Sequence, residues 1–442
     1  MTEYRIGAGT GFAGDRMDPA VVLAEHGELD ALVFECLAER TIGLAQTAMV
    51  SGGIGYDGRI LDRLARVLPH TSARGTVITT NAGAADPIGA ARAIASLAAD
   101  LGLGHTRVAA VTGDDVLGRL DPSSPVLGTS YTIGDLGDRI VSANAYVGAS
   151  GVRSALEQDS QIVVTGRAGD AALFAGPIAQ HFGWSQGDLA KMADATIIGH
   201  LLECAGQLTG GYFADGGRKD VPDLAHLGFP LAEVAADGSA VYTKVDGTGG
   251  LIDRRTVLEQ LLYEIDDATA YLTPDVALDM SRVDIEEVGA NRVRVAGAIA
   301  NGRPERLKVS VGVRDGRLAT GEIVYSGARA MDRARLAERI VRERWEDVHG
   351  RSADDLRCDF VGLNATRAWW DGAGDPAEVR VRFTNRSFEA ADGRVLCDEV
   401  DALYTNGPAG GGGVVTSVKE TVGIVSTMID REAVEQKVTV VE

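Results

Sequence analysis

The sequence predicts an α/β protein: a mostly parallel sheet with helices on both faces, joined to a smaller α+β domain at its C-terminal side. Two observations carry this. Over residues 1–270, short apolar runs alternate with amphipathic helical stretches, the pattern of repeated strand–helix–strand units. After about residue 272 the pattern turns to short strands with hairpin signals and few helices. Residues 206–250 between them are rich in glycine and turn residues and read as a long functional loop or a seam. The domains are therefore placed at 1–270 and 271–442, the second carrying a glycine-rich loop at 407–413.

Each element has a local reason. Residues 4–9 read as the first strand. Asp18 and Pro19 open a helix to about residue 26, with Asp as N-cap and Pro at the first helical position. Residues 31–35 (ALVFE) form a second strand, followed by helices over 41–50 and about 60–68. Residues 76–80 (TVITT) form a third strand, and Asp86-Pro87 caps a helix over 88–101. Strands at 107–112, 138–146 and 161–165 come next, then helices around 172–182 and 188–207. In the second domain, strands are expected at 292–298, 307–313, 322–325, 358–363 and 378–383, with Asp315-Gly316 as a hairpin signal. Helices are expected at 334–348 and 394–405, and an extended run near 417–430.

Composition narrows the function. The chain has 442 residues, 45% hydrophobic and 24% charged, enough for a sizeable core. Lys plus Arg is 43 and Asp plus Glu is 63, a formal net charge of −20. That balance argues against nucleic acid or an anionic membrane as partner, because both need a basic surface. Cys36, Cys204, Cys358 and Cys397 show neither metal-ligand spacing nor the density of a disulfide framework. No basic segment leads into an apolar run at the start, and no apolar stretch reaches a membrane span, so a cytoplasmic location is expected.

In open parallel sheets, ligands bind beyond the carboxyl ends of the strands. The expected strand ends here are polar and mostly glycine-rich: Gly7 to Arg16, Glu35-Cys36 with Glu39 and Arg40, Asn81-Ala82-Gly83, Thr112 to Asp115, and Thr165 to Asp170. In the last of these, Arg167 is a candidate clamp for a carboxylate or phosphate, and Asp170 a candidate proton carrier. The competing reading is an internal Arg–Asp pair that fixes the turn. Gly9, Gly11 and Gly14 match the spacing of the dinucleotide fingerprint, and Glu35 lies at the end of the second strand. The helix, however, starts only at Asp18, and Asp15 stands where a phosphate would sit. His200, Glu203 and Cys204 share a helix face and could form an acid/base pair, or simply a satisfied core histidine. Gly410, Gly411 and Gly412 could form an amide nest for an anion or a thioester oxygen.

Seven segments, in this order, carry a family resemblance: GAGTGFAGDRMD at 7–18, FECLAERTIGLAQ at 34–46, NAGAADP at 81–87, VTGRAGD at 164–170, HLLECAGQLTGGYFAD at 200–215, KVDGTGGL at 244–251 and GPAGGGG at 407–413. The chain resembles the acyclic terpene utilisation (AtuA) family. The resemblance implies a late step in acyclic terpene catabolism, on a branched 3-hydroxyglutaryl-CoA thioester, with release of acetate. Some relatives carry an added ferredoxin-like domain or have it as a small separate protein, so such a partner is part of the expectation. The resemblance transfers no residue roles.

The function expected is a lyase or hydro-lyase on a branched hydroxyacyl-CoA or related hydroxy-carboxylate. Asp170 or Glu35 is the expected base, and Arg167, or Arg40 in its place, the carboxylate clamp. Asn81, the amides near Gly9, Gly11 and Gly14, or those of Gly410 to Gly412, would hold the thioester or phosphates. His200 and Glu203 are further catalytic candidates. CoA is expected as part of the substrate, a divalent metal at Asp114, Asp115 or Asp170 is an open alternative, and a homo-oligomer is the general expectation. Two rivals stand beside this: an NAD(P)-dependent oxidoreductase resting on Gly9, Gly11, Gly14 and Glu35, and a non-catalytic subunit of a two-component enzyme.

Overall fold

The computed structural model describes residues 3–366 and 376–441. Two compact units emerge, Met1–Val313 with Ile424–Glu442, and Arg314–Gly423.

The larger unit begins with β1 (Tyr4–Thr10), α1 (Asp18–His26), β2 (Ala31–Phe34), α2 (Glu39–Val50), α3 (Arg59–Arg74), β3 (Val77–Thr80), α4 (Pro87–Asp100) and β4 (Val108–Thr112). It continues with α5 (Ile133–Leu136), β5 (Ile140–Ala145), α6 (Ser150–Leu156), β6 (Ile162–Thr165), α7 (Ala172–Phe182) and α8 (Leu189–Leu202). Then come β7 (Pro230–Val234), β8 (Ala240–Lys244), α9 (Arg254–Leu261), β9 (Tyr271–Leu272), β10 (Ala277–Asp279), β11 (Asp284–Gly289), β12 (Arg292–Ala296) and β13 (Ile299–Ala300). A ten-stranded sheet runs in the order β11-β12-β8-β7-β1-β2-β3-β6-β4, closed at its far edge by a strand from the chain's C-terminal stretch.

The sheet is mixed, which corrects the expected parallel dominance. β1, β2, β3, β6 and β4 pair in parallel. Every other neighbour pairs antiparallel. The parallel strands come after helical crossovers, whereas β7 and β8 are joined by a tight turn that needs none. Those two strands lie inside the glycine-rich stretch read as a loop or seam, so part of that stretch is sheet. β2 and the apolar strand β6 are buried at every position, as expected of strands covered on both faces. Helices cover both faces: α1, α3 and α4 pack as one row, α6, α7 and α8 as another.

Two local readings also change. Helix α1 starts at Asp18 itself, with Met17 at the cap and no capping side chain; Asp86, by contrast, does cap α4, its Oδ1 accepting from the Gly89 amide at 2.8 Å. Helix α3 runs past Pro69 to Arg74, because Ile60, Leu64, Val67, Leu68 and Thr71 bury one continuous face.

The remaining strand of the first half, β5, stays out of the large sheet. It pairs antiparallel with the first part of β14 (Arg306–Ser326). The local pattern over β14 predicts two strands and a hairpin. Instead one 21-residue strand passes through Asp315-Gly316, where Gly316 takes φ +74°. At that point β14 changes partner, from Val313 beside Ile140 to Arg317 beside Ser387.

The smaller unit contains the later part of β14, then α10 (Ala330–Glu343), β15 (Leu356–Val361), β16 (Glu378–Ser387), α11 (Ala390–Asn406) and the first part of β17 (Gly412–Asp430). Its strand order is β15-β16-β14-β17. Strand–helix–strand–strand–helix–strand in this order is the split βαβ, ferredoxin-like arrangement. Its own core gathers Trp345, Phe383, Tyr325, Leu396 and Val400. The last strand, β18 (Lys437–Val441), pairs antiparallel with β4 in the large sheet, a strand not read from the sequence.

Candidate functional site

The carboxyl ends of β1, β2 and β3 are tied together through Glu35. Its Oε1 accepts from Asn81 Nδ2 at 2.9 Å and from the Leu37 amide at 2.8 Å. Asn81 Oδ1 accepts from the Cys36 amide at 2.7 Å, so this one side chain joins the ends of two strands. Thr10 Oγ1, at the end of β1, donates to the Glu35 carbonyl. Among the described residues these bonds leave Oε2 of Glu35 without a protein donor. Burial pushes the Glu35 carboxyl up to about 8, and the negative charge of Asp170 adds to the rise, while Arg167 and Asn81 pull the other way.

The ends of β6 and β4 are tied through Arg167 and Asp114. Arg167 is 1% exposed. Its Nη1 donates to the Leu37 carbonyl, and Nε and Nη2 donate to the Ala168 carbonyl at 3.0 and 2.8 Å. Nη2 also pairs with Asp170. The guanidinium lies 4.4 Å from the centroid of the Tyr146 ring. Buried, with four of its five N–H donors spent on the protein, Arg167 is placed to hold Asp170. Asp170 is the open member of the pair, with 37% of its side chain exposed. Partial burial lifts its carboxyl above the ordinary range against the pull of Arg167. Asp114 Oδ2 accepts from the Arg167 amide at 2.8 Å and from Asn144 Nδ2 at 2.9 Å. Burial still pushes its carboxyl up to about 6.

His200 and Glu203 sit at the end of α8. His200 Nε2 donates to the Leu261 carbonyl at 3.0 Å, and Nδ1 lies 3.3 Å from Glu203 Oε1. The imidazole packs beside Tyr271. Burial alone would lower its pKa; the bond to Glu203 and that residue's charge raise it. Glu203 is itself raised, by burial first, with Asp170 and Glu264 adding negative charge. One proton shared between Nδ1 and the carboxylate meets both tendencies. Glu203 Oε2 has no partner among the described residues.

The glycine loop after β1 packs against this end of α8. A Cβ on Gly11 would lie 2.6 Å from the Cys204 carbonyl carbon, so only glycine fits. The Gly11 amide donates to Asp15 Oδ2 at 3.0 Å, so a donor that a dinucleotide fold offers to pyrophosphate is already satisfied. Gly9 faces the Phe34 ring and Gly14 the Phe12 ring. Helix α1 begins only after Met17, away from these glycines.

The structure thus brings Glu35, Asn81, Arg167 and Asp170 together, with His200 and Glu203 within charge range. Gly410, Gly411 and Gly412 belong to the smaller unit, where the Ala409 carbonyl accepts from Arg333 Nη1 at 3.0 Å. Arg40 is exposed on α2. Cys36 is buried with its thiol pushed up to about 12, chiefly by burial, which makes it a poor nucleophile. Among the described residues, no three His, Cys, Asp or Glu side chains converge as metal ligands. Asn144 and Tyr146 at the end of β5, polar residues closing an otherwise strand-like run, and Lys308, which carries no local signal, do not stand out in the sequence as site residues.

No helix among the described residues is long and apolar enough to cross a membrane. Neither the curated proteins nor the solved structures hold a match to this chain. The family model described as acyclic terpene utilisation family protein AtuA matches residues 4–440, nearly the whole length. The chain belongs to the acyclic terpene utilisation family AtuA.

Proposed function

We propose that this protein is a lyase acting on a branched hydroxyacyl-CoA or a related hydroxy-carboxylate. The observation that supports it most is the carboxyl pair at the strand ends: Glu35 pushed up to about 8 beside Asp170, which is paired with Arg167. Two carboxyls with environments this different are suited to opposite proton roles. The family's place in acyclic terpene utilisation is in keeping with a branched acyl substrate.

In the C–C cleavage version, Asp170 is the base. It takes the proton of the 3-hydroxyl, the C–O bond becomes a carbonyl, and the bond between C3 and C4, the methylene that bears the free carboxylate, breaks. Its electron pair moves onto the leaving acetate fragment as an enediolate. Glu35, neutral at physiological pH, gives its proton to that enediolate carbon. Asn81 and the Leu37 amide hold the Glu35 carboxyl in place throughout. Arg167 keeps Asp170 oriented and favours its ionised form.

The test is product analysis with 3-hydroxy-3-methylglutaryl-CoA and longer-branched homologues. Asp170→Asn is expected to lower kcat by roughly 10²- to 10⁴-fold, the usual worth of a positioned proton carrier. The kcat/KM of the native protein is expected to fall as pH rises through about 8, as Glu35 loses its proton. Full activity in Asp170→Asn would rule out its role as base.

A further inference from the structure

Beside the carboxyl pair, an open cleft of about 560 Å³ lies within the larger unit. Val126, Leu127, Ile424 and Val425 supply its apolar lining, and Glu39 and Lys308 supply its charge. Lys308 Nζ donates to Glu39 Oε1 at 2.7 Å, and the Tyr146 hydroxyl donates to the same oxygen at 2.7 Å. The Tyr146 ring has Lys308 Nζ at 5.3 Å from its centroid and the Arg167 guanidinium at 4.4 Å. A single aromatic ring therefore links the cleft to the cation that holds Asp170.

The charges around the candidate site set a problem for any anionic substrate. Asp170 acts as a like charge on Glu35 and Glu203, Glu264 on Asp170 and Glu203, and Arg167 is buried with four of its five N–H donors committed to the protein. A carboxylate has no free cation to meet among these groups. Lys308 is different. Its side chain is 46% exposed, and its one acidic partner, Glu39, is 41% exposed and can turn to water. Among the described residues that line the cleft it is the sole cation. An ammonium among apolar lining side chains is complementary to a small acid that carries a branched hydrocarbon chain.

We infer that this cleft receives the anionic end of a branched-chain organic acid, with Lys308 exchanging Glu39 for the ligand carboxylate and Val126, Leu127, Ile424 and Val425 seating the branch. The inference rests on the reading of the substrate as a carboxylate or its thioester, and it adds where the charge is met.

Calorimetric titration of the full chain with isovalerate, isovaleramide and free CoA tests it. Isovalerate is expected to bind saturably and more weakly at higher salt, and isovaleramide not to bind. Lys308→Ala is expected to weaken isovalerate about tenfold or more, and Lys308→Arg to restore most of the affinity. Glu39→Gln is expected to tighten binding, because it removes the competing anion; a merely structural Lys308 would not produce this. Unchanged affinity in Lys308→Ala, equal binding of isovaleramide, or Lys308-dependent binding of CoA without binding of isovalerate would each overturn the assignment. Thermal melting confirms that the variants fold. Binding is read without turnover, so failure of the lyase reading leaves the test intact; turnover of 3-hydroxy-3-methylglutaryl-CoA with a KM unaltered in Lys308→Ala sinks this inference alone.

Discussion

Two groups of acids, one in each unit, use the same residue types to opposite effect. In the smaller unit, acids meet arginines near the surface. Glu399 accepts from Arg344 at 2.6 and 2.9 Å and from His349 at 2.7 Å, and these bonds hold its carboxyl below the usual range. Asp392 accepts from Ser387 at 2.6 Å and from Arg351, and is lowered likewise. In the larger unit, Glu35, Asp114, Asp170 and Glu203 are raised, each with burial as the leading cause. The difference lies in how many donors arrive for the water removed. Acids with ample donors at the rim stay charged and stabilise a small sheet. Acids buried with too few are raised, and Glu35, pushed up to about 8, is the one placed to keep its proton at neutral pH, as a proton donor requires.

The contrast can be broken by removing charges one at a time. The largest effect is expected from Arg167→Met, which leaves Asp170 without its cation and the Leu37 and Ala168 carbonyls without their donor. A loss of about 3–5 kcal/mol is expected in denaturant unfolding. Glu35→Gln keeps both bonds to Oε1 and removes only the titration. The folded carboxyl is raised to about 8 from an ordinary value of 4.5, so the native chain loses stability as pH rises from about 4.5 to about 8. The variant is expected to lack that loss and to exceed the native chain at pH 9, on the order of 3–5 kcal/mol, in unfolding curves at pH 5 and 9. The smallest effect is expected from Glu399→Gln, about 1 kcal/mol at pH 7, since Arg344 is 48% exposed and its pair is screened. There the sign reverses: the folded carboxyl is lowered, so the cost fades as pH falls through that lowered value.

Much of the site is legible in the sequence because it depends on chain direction. Parallel strands bring their carboxyl ends to one edge, so Glu35, Asn81, Asp114 and Arg167 stand out as polar residues placed directly after apolar runs. The role of Arg167 is not legible: the sequence shows a cation in a glycine turn, and only the folded chain brings the Leu37 and Ala168 carbonyls to consume its donors. Lys308 and Tyr146 join the site through β5 and β14, distant in sequence and paired across an antiparallel ladder. In the fold, β7 and β8 hide among glycines, and the Asp315-Gly316 hairpin signal loses to pairing: the carbonyls of both residues accept from Thr421 Oγ1, and Asp315 also meets Arg386. Local turn chemistry yields where a long strand has partners on both of its halves.

The proposed proton transfer depends first on Glu35 keeping a proton near neutral pH. Difference infrared spectroscopy of the native chain against Glu35→Gln, titrated from pH 4 to 10, reads that carboxyl directly. A protonated-carboxyl band is expected at pH 7, disappearing with a midpoint near 8. A band already lost by about pH 5, the range of an ordinary glutamate, would contradict it.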